Sequence, residues 1–175
     1  MKMLGLPLTL FLLTGCAATV NNTSSSAPAI KTSAASAKNI TLNLSGDKQH
    51  TAGGDWEKLK AAWQYGMKTA ASGIGAGYSE QEGKPRATGQ DGTVIAVQIK
   101  DYRYIGTGTR YGLGAFSGNA FVDANVKFIN ARTGALLGER NYNTTSSAWQ
   151  GIFSPMTDKQ VEALSNEIVK EVQSK

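Results

Sequence analysis

Five small or apolar side chains at every second position, Ala120, Val122, Ala124, Val126 and Phe128, constrain this chain more than any other feature. Asp123, Asn125 and Lys127 stand between them. A two-residue period sends alternate side chains to opposite faces, so the segment is a strand with one buried and one solvated face. Such a strand needs a partner. Asn130-Ala131-Arg132-Thr133-Gly134 follows at once, with Asn at the first turn position and Gly placed to take positive φ. A tight hairpin therefore returns the chain along Leu136 to Thr144 as the antiparallel neighbour.

Upstream, Thr93 to Ile105 repeats the alternation through Ile95, Val97 and Ile99 before the phase slips to Tyr102 and Tyr104. A slip of one residue implies a bulge near Lys100-Asp101 or a strand buried on both faces. Ile40, Leu42 and Leu44 alternate with Thr41 and Asn43 in a further strand. The helical period appears twice. Trp56, Leu59, Trp63, Met67 and Ala70 share one helical face, with Lys58, Gln64 and Lys68 off it, and Asp55 and Gly73 placed as N-cap and stop. Met and Trp at this spacing form a core-facing stripe rather than a cofactor site. Val161, Leu164, Ile168 and Val172 form the second stripe, opposite Glu162, Asn166 and Lys170, behind a Thr157–Gln160 capping box with Pro155 upstream.

Ser72 to Gly92 is rich in glycine, carries Pro85 and shows neither period. It is expected to be a long connecting loop, of the kind that is either functional or disordered. The element order is then strand-helix-strand-strand-strand-helix. It predicts an α+β fold, with a four-stranded, mainly antiparallel sheet and two helices on one face. The first strand joins the meander through a right-handed helical crossover.

Cys16 is the only cysteine, so packing rather than disulfides must hold the fold. Met1-Lys2 is a basic start, Met3 to Leu13 an apolar run, and Gly15 a small residue before Cys16, which is the layout of an export signal. The run is shorter than the ~20 residues a bilayer span needs, and it contains Pro7. Leu13-Thr14-Gly15-Cys16 resembles the lipobox of bacterial lipoproteins. The resemblance implies cleavage before Cys16, a diacylglycerol on its thiol and an acyl chain on the new amino terminus. Each buried methylene contributes about 0.8 kcal/mol, so two or three chains make release negligible. Ala17 and Ala18 follow, with no Asp, which in such lipoproteins implies the periplasmic face of the outer membrane. Inner-membrane anchoring, or cleavage after Ala17 or Ala18 to give a soluble periplasmic protein, are the alternatives.

The expected division is a signal peptide over 1–15, a lipidated N-terminus and Ser/Ala/Thr spacer over 16–38, and one α+β domain over 39–175. Between Asn21 and Lys38 only Ile30 is a large apolar residue, too little to offset the entropy of ordering. A flexible segment of that length reaches roughly 25 Å and holds the module off the membrane.

Gly106-Thr107-Gly108-Thr109-Arg110, then Gly112-Leu113-Gly114, the alternating strand, and Asn130-Ala131-Arg132-Thr133-Gly134-Ala135-Leu136-Leu137 are similar to the DUF forty-four-ten family of uncharacterised bacterial lipoproteins. That resemblance implies a small α+β domain on a lipid tether. It carries over no activity, cofactor or catalytic residue.

Several residue sets invite a chemical reading. The glycine run lacks a dinucleotide loop's last glycine, with Tyr111 and Ser117 near that place, and it joins strand to strand without a helix N-terminus. Asp47 and His50 are candidate metal ligands or an acid–base pair, yet the partners of a metal site or nucleophilic triad are missing, and an exposed loop is expected. Glu80 and Glu82, with Asp91, would be the carboxylates of a small envelope hydrolase acting on glycan, the alternative function. Lys100, Tyr102, Arg103, Tyr104, Arg110 and Tyr111 interleave basic and aromatic groups, as a glycan surface or as cross-strand pairs. Export removes nucleic acid as a partner, and a formal charge of +5 is a mild excess that suits solubility or an anionic surface. The leading expectation is a non-catalytic binding or assembly module, on the membrane through Cys16, with an envelope protein or anionic glycan as partner. No catalytic, cofactor or metal residue is assigned.

Overall fold

A computed structural model of the chain describes residues 19–24, 27–105, 119–145 and 156–173. In chain order these form β1 (Thr19–Asn22), β2 (Asn39–Gly46), α1 (Gly54–Gly73), β3 (Gly77–Gln81), β4 (Thr93–Arg103), β5 (Phe121–Asn130), β6 (Leu136–Thr145) and α2 (Met156–Glu171). The strands make one mixed sheet in the order β1-β6-β5-β4-β2-β3. The meander β4-β5-β6 is antiparallel, and β2 lies parallel to both β4 and β3. Fold class, helix number and the alternating strands match the sequence reading.

The sheet has six strands rather than four and is mixed rather than mainly antiparallel. The two additional strands are its edges. β3 lies in the stretch expected to be a loop and pairs in parallel with β2, while β1 lies in the expected spacer and pairs antiparallel with β6. Neither carries an apolar alternation, since an edge strand is held by main-chain hydrogen bonds along one side and is only half covered.

The placement of β1 determines what residues 27–38 must do. Four ladder steps of about 4.8 Å separate β1 from β2, so the connection has to cross β6, β5 and β4. It crosses as a packed strap. Ile30 is buried against Gly138, where a Cβ would collide with it. The Arg140 guanidinium donates to the Pro28 carbonyl at 2.6 Å, and Thr32 donates to the Val172 carbonyl at 2.7 Å. At the far side Thr93 donates to the Ser36 carbonyl at 3.2 Å, just before β2 begins. Residues 19–24 and 27–38 of the segment expected as a spacer over 16–38 are thus packed on the domain.

Both helical stripes face the sheet. Leu59, Trp63 and Met67 of α1 and Val161, Leu164 and Ile168 of α2 form one core with Ile40, Leu42, Ile95, Val97, Ile99, Val122, Val126 and Phe128. The helices approach closely at Gly66, where a Cβ would lie 2.7 Å from the Ser165 Oγ. The α1 stop at Gly73 matches the sequence reading, and its start differs. Gly53, extended and without a side-chain cap, precedes the helix, while Asp55 sits in the first turn and pairs with Lys58 at 2.9 Å. The helix ends in a Schellman arrangement, in which Ala76 N donates to Ala71 O, Gly75 N donates to Ser72 O, and Gly75 takes φ +70.

The capping box is not formed. Thr157 lies inside α2 with its hydroxyl accepting from Ile105 N at 2.8 Å, and the Gln160 amide donates to Ala120 O at 2.9 Å. Both side chains are buried, and they satisfy chain ends beyond β4 and before β5 instead of their own helix. Pro155 lies outside the described residues. The phase slip resolves as both alternatives at once. The β4–β5 register shifts between Ile99 and Asp101, and Val94 and Ala96 are buried on the second face. In the hairpin, Asn130 Oδ1 accepts from Arg132 N and Thr133 N at 3.0 Å, and Gly134 has φ +77.

Ile30 separates strap from spacer in a direct way. In a spacer, Ile30→Ala would leave stability unchanged. In the packed strap it should cost about 2–3 kcal/mol in urea unfolding of the purified protein, while Lys31→Ala should cost less than ~0.5 kcal/mol.

Candidate functional site

Ligands of sheets with parallel strands collect beyond the strands' carboxyl ends. Here β2 ends at Gly46, opposite Ile99, β4 continues beyond it to Arg103, and the loop 47–53 leads from β2 into α1. The loop closes on itself, with His50 N and Thr51 N donating to Asp47 O at 2.9 and 3.2 Å. Gln98 donates weakly to Asp47 Oδ1 at 3.4 Å. Tyr102 fastens the loop to β4 through its hydroxyl, which donates to His50 O at 2.9 Å, while its ring packs against Trp56 and His50.

The bulge brings Asp101 to this loop, so the structure joins His50 to a carboxylate that the sequence reading did not pair with it. His50 Nδ1 and Asp101 Oδ1 are 3.8 Å apart, beyond hydrogen-bond range, and an ion pair forms only when the imidazole is protonated. The other ring nitrogen faces the Gln49 amide at 2.9 Å. No hydroxyl or thiol among the described residues is bonded to the His50 imidazole, and no group of three or more His, Cys, Asp or Glu residues there is placed to hold a metal ion. The arrangement supplies polar contacts around a recess of ≈ 580 Å³, lined by Gln49, His50, Asp55, Tyr102 and Tyr104.

Tyr104 joins this recess to a groove of ≈ 540 Å³ between the starts of the two helices, lined by Lys58, Tyr65, Gly66, Asp158 and Glu162. Its hydroxyl donates to Asp158 at 2.9 Å, and the Lys58 ammonium lies 5.6 Å from its ring centre. Burial, then the hydrogen bond to Asp158, pushes the Tyr104 hydroxyl up to about 12. Burial first, and the charge of Asp55 second, raise Tyr102 as well. Tyr65 is 72% exposed on the rim.

The basic and aromatic set expected as one surface is divided between the faces of the sheet. Tyr102 and Tyr104 pack on the helix side, whereas the Arg103 guanidinium lies 5.7 Å from the ring centre of its cross-strand neighbour Phe121. Arg110 and Tyr111 lie outside the described residues, as does Cys16. The carboxylates of the hydrolase reading are engaged separately. Glu80 accepts from Gln64 at 2.7 Å and from Tyr78 at 2.9 Å on the edge strand. Asp91 pairs with Arg132 at 2.6 Å beside the hairpin turn, and the guanidinium lowers its carboxyl. Glu82 is exposed.

A second cleft, of ≈ 930 Å³, lies between the strap and the end of α2, with Ile30, Lys31, Lys38, Glu167, Lys170 and Glu171 on its walls. Beside it is a group that sequence reasoning missed. Arg140, 4% exposed, bonds to Pro28 O and pairs with Glu171 at 3.3 Å. Its signal was available, since Arg140, Tyr142 and Thr144 alternate in β6 and all face inward.

Comparison with solved structures gives the architecture. The chain is similar to the PelC dodecamer from Paraburkholderia phytofirmans, with 12% identity over 90% of this chain and 98% of that one, at a TM-score of 0.52. A crystal structure of an uncharacterized protein is similar at 8% identity, over 83% and 97%, with a TM-score of 0.51. These likenesses show the fold alone. No family model matches the chain and no curated protein matches it in sequence, so the comparisons do not confirm the resemblance to the forty-four-ten family.

Tyr104 gives a test by pH. The folded protein keeps its proton to about pH 12, whereas an unfolded tyrosine loses it near 10, so this stabilisation is complete below pH 10 and is lost as pH rises to 12. Tyr104→Phe should flatten the fall in urea-unfolding free energy across that window. A separate variant, Thr157→Val, leaves the buried Ile105 N–H without its acceptor and should cost about 1–3 kcal/mol at neutral pH.

Proposed function

We propose that this chain is a lipid-anchored protein of the bacterial envelope, held on the periplasmic face of the outer membrane through Cys16, whose domain acts by binding or assembly rather than by catalysis. The observation that carries the anchor is Leu13-Thr14-Gly15-Cys16 after an apolar run too short to span a bilayer. No helix among the described residues is long and apolar enough to cross a membrane. Ala17 and Ala18 after the cysteine support the outer membrane.

The binding role is supported by how the candidate groups are used. Glu80 and Asp91 are committed to separate partners, and His50 has a carboxylate neighbour but no nucleophile among the described residues. The recess and groove around Tyr104 present phenol, ammonium and carboxylate groups, which suits recognition of a polar surface on an envelope protein or glycan. The similar PelC fold was solved as a dodecamer, which makes self-association of this domain a further form that assembly takes in the proposal.

Growth with labelled palmitate tests the anchor. The wild type should take up label, and Cys16→Ala should lose it and accumulate as uncut precursor; label on the variant would overturn the reading. Crosslinking in living cells should then recover one enriched envelope partner or a ladder of this chain's own multimers. A monomer without enrichment would remove the binding role.

A further inference from the structure

We infer that the domain stands end-on against the bilayer, with the end of the sheet marked by Thr19, Thr145, Phe121 and Arg103 turned toward the lipid headgroups. The inference rests on the proposed acylation of Cys16. It goes beyond that proposal because acylation alone does not orient what it anchors.

The first observation is the length of chain available. Thr19 already lies in the sheet, and Cys16 stands only three residues before it. At no more than about 3.6 Å per residue, the Cys16 Cα lies within ~11 Å of the start of β1, and the acylated sulfur lies one short side chain beyond it. The reach of roughly 25 Å expected for a free spacer is not available.

The second observation is what shares that end. Strand register places Thr19 opposite Thr145, Thr145 opposite Phe121, and Phe121 opposite Arg103, so four strands reach the same level. Both helices start there as well. α1 follows the end of β2, and α2 begins beside Ile105, through Thr157, so the positive ends of both helix dipoles face the same way. Anionic headgroups favour that direction.

The other surfaces fit a bilayer less well. The outer face of the sheet would bring Asp123 and Glu139, with Lys127 as their counter-charge, and the amides of Asn141 and Asn143 toward anionic lipid; the end row has carboxylates nearby as well, in Asp55, Asp101 and Asp158, so the choice between the two rests on the length of chain before Thr19. The β1 edge would set main-chain groups that have no partner strand among the described residues, and Asn22, against the membrane without satisfying them. The end row instead offers Arg103, exposed and stacked over Phe121. Its guanidinium is a donor of the kind that pairs with lipid phosphate.

The test uses the full-length acylated protein in vesicles of phosphatidylethanolamine and phosphatidylglycerol. Acylation occupies the Cys16 sulfur, so Thr145→Cys and Thr133→Cys each carry one free thiol for a fluorescent dye. These exposed positions mark opposite ends of the sheet, separated by about 30 Å along the strands. Headgroup-quencher lipids should quench the dye at 145 strongly and leave the dye at 133 at its quencher-free level. Equal quenching, or stronger quenching at 133, overturns the orientation while the protein still floats with the vesicles. Failure of the wild type to float overturns the anchor itself, and the orientation with it. In the 145-labelled protein, Arg103→Glu should lower quenching without loss of flotation; unchanged quenching removes the Arg103–Phe121 pair from the contact.

Discussion

Four ladder steps lie between β1 and β2, and the fold is organised around the strap that crosses them. Two helices of about 10 Å diameter cover only part of a sheet five steps wide, roughly 24 Å. The strap fills part of the remainder below the end of α2. Its fit depends on two residues of β6. Gly138 has no side chain where Ile30 must sit, and Arg140 reaches from β6 to Pro28 O and Glu171, tying strand, strap and helix together. A buried pair of this kind adds little over apolar packing, but losing one partner strands a charge at a cost of several kcal/mol. Arg140 therefore specifies the strap's position more than it strengthens the core.

The helix layer is fixed to the opposite end of the sheet by other means. Gly66 lets α1 and α2 approach until a Cβ would strike Ser165, so Trp63, Met67, Leu164 and Ile168 join one core. Thr157 and Gln160 then use the start of α2 to satisfy main-chain groups at Ile105 and Ala120. Tyr104 and Asp158 continue the attachment at the surface. The recess and groove around Tyr104 are consequently built on helix starts and strand ends that are held from both sides.

The parts of this fold that bury a regular face were legible in the sequence. The α1 and α2 stripes, the alternation of β5, the bulge after Ile99 and the Asn130–Gly134 turn all carry a period or a turn residue with a local cause. The edges were not legible, because the residues of β1 and β3 are chosen by main-chain pairing and leave no apolar pattern. Thr157 and Gln160 were misread for a related reason. Their spacing satisfies a local rule, but buried acceptor and donor groups more than thirty residues away take their side chains. The His50–Asp101 approach depends on the bulge, which shifts Asp101 by one residue in a way that spacing along the chain cannot show. Ile30 was visible as an isolated apolar residue, yet only the topology of β1 gives it something to cover.

That same topology changes what the proposed lipid anchor at Cys16 would do. A lipid on a long flexible segment sets only the compartment, since the domain can turn freely within its reach. With β1 beginning three residues after Cys16, the constraint passes into the sheet through antiparallel pairing with β6, and from β6 through β5 to β4. Rotation of the domain then has to move a packed edge strand with it. The cleft at the strap and the end of α2, together with the Asn130–Gly134 turn, lies at the other end of the strands. In the proposed orientation those features face away from the membrane, so any partner that meets them approaches from the periplasm, while the end bearing His50, Arg103 and Tyr104 is confined near the lipid.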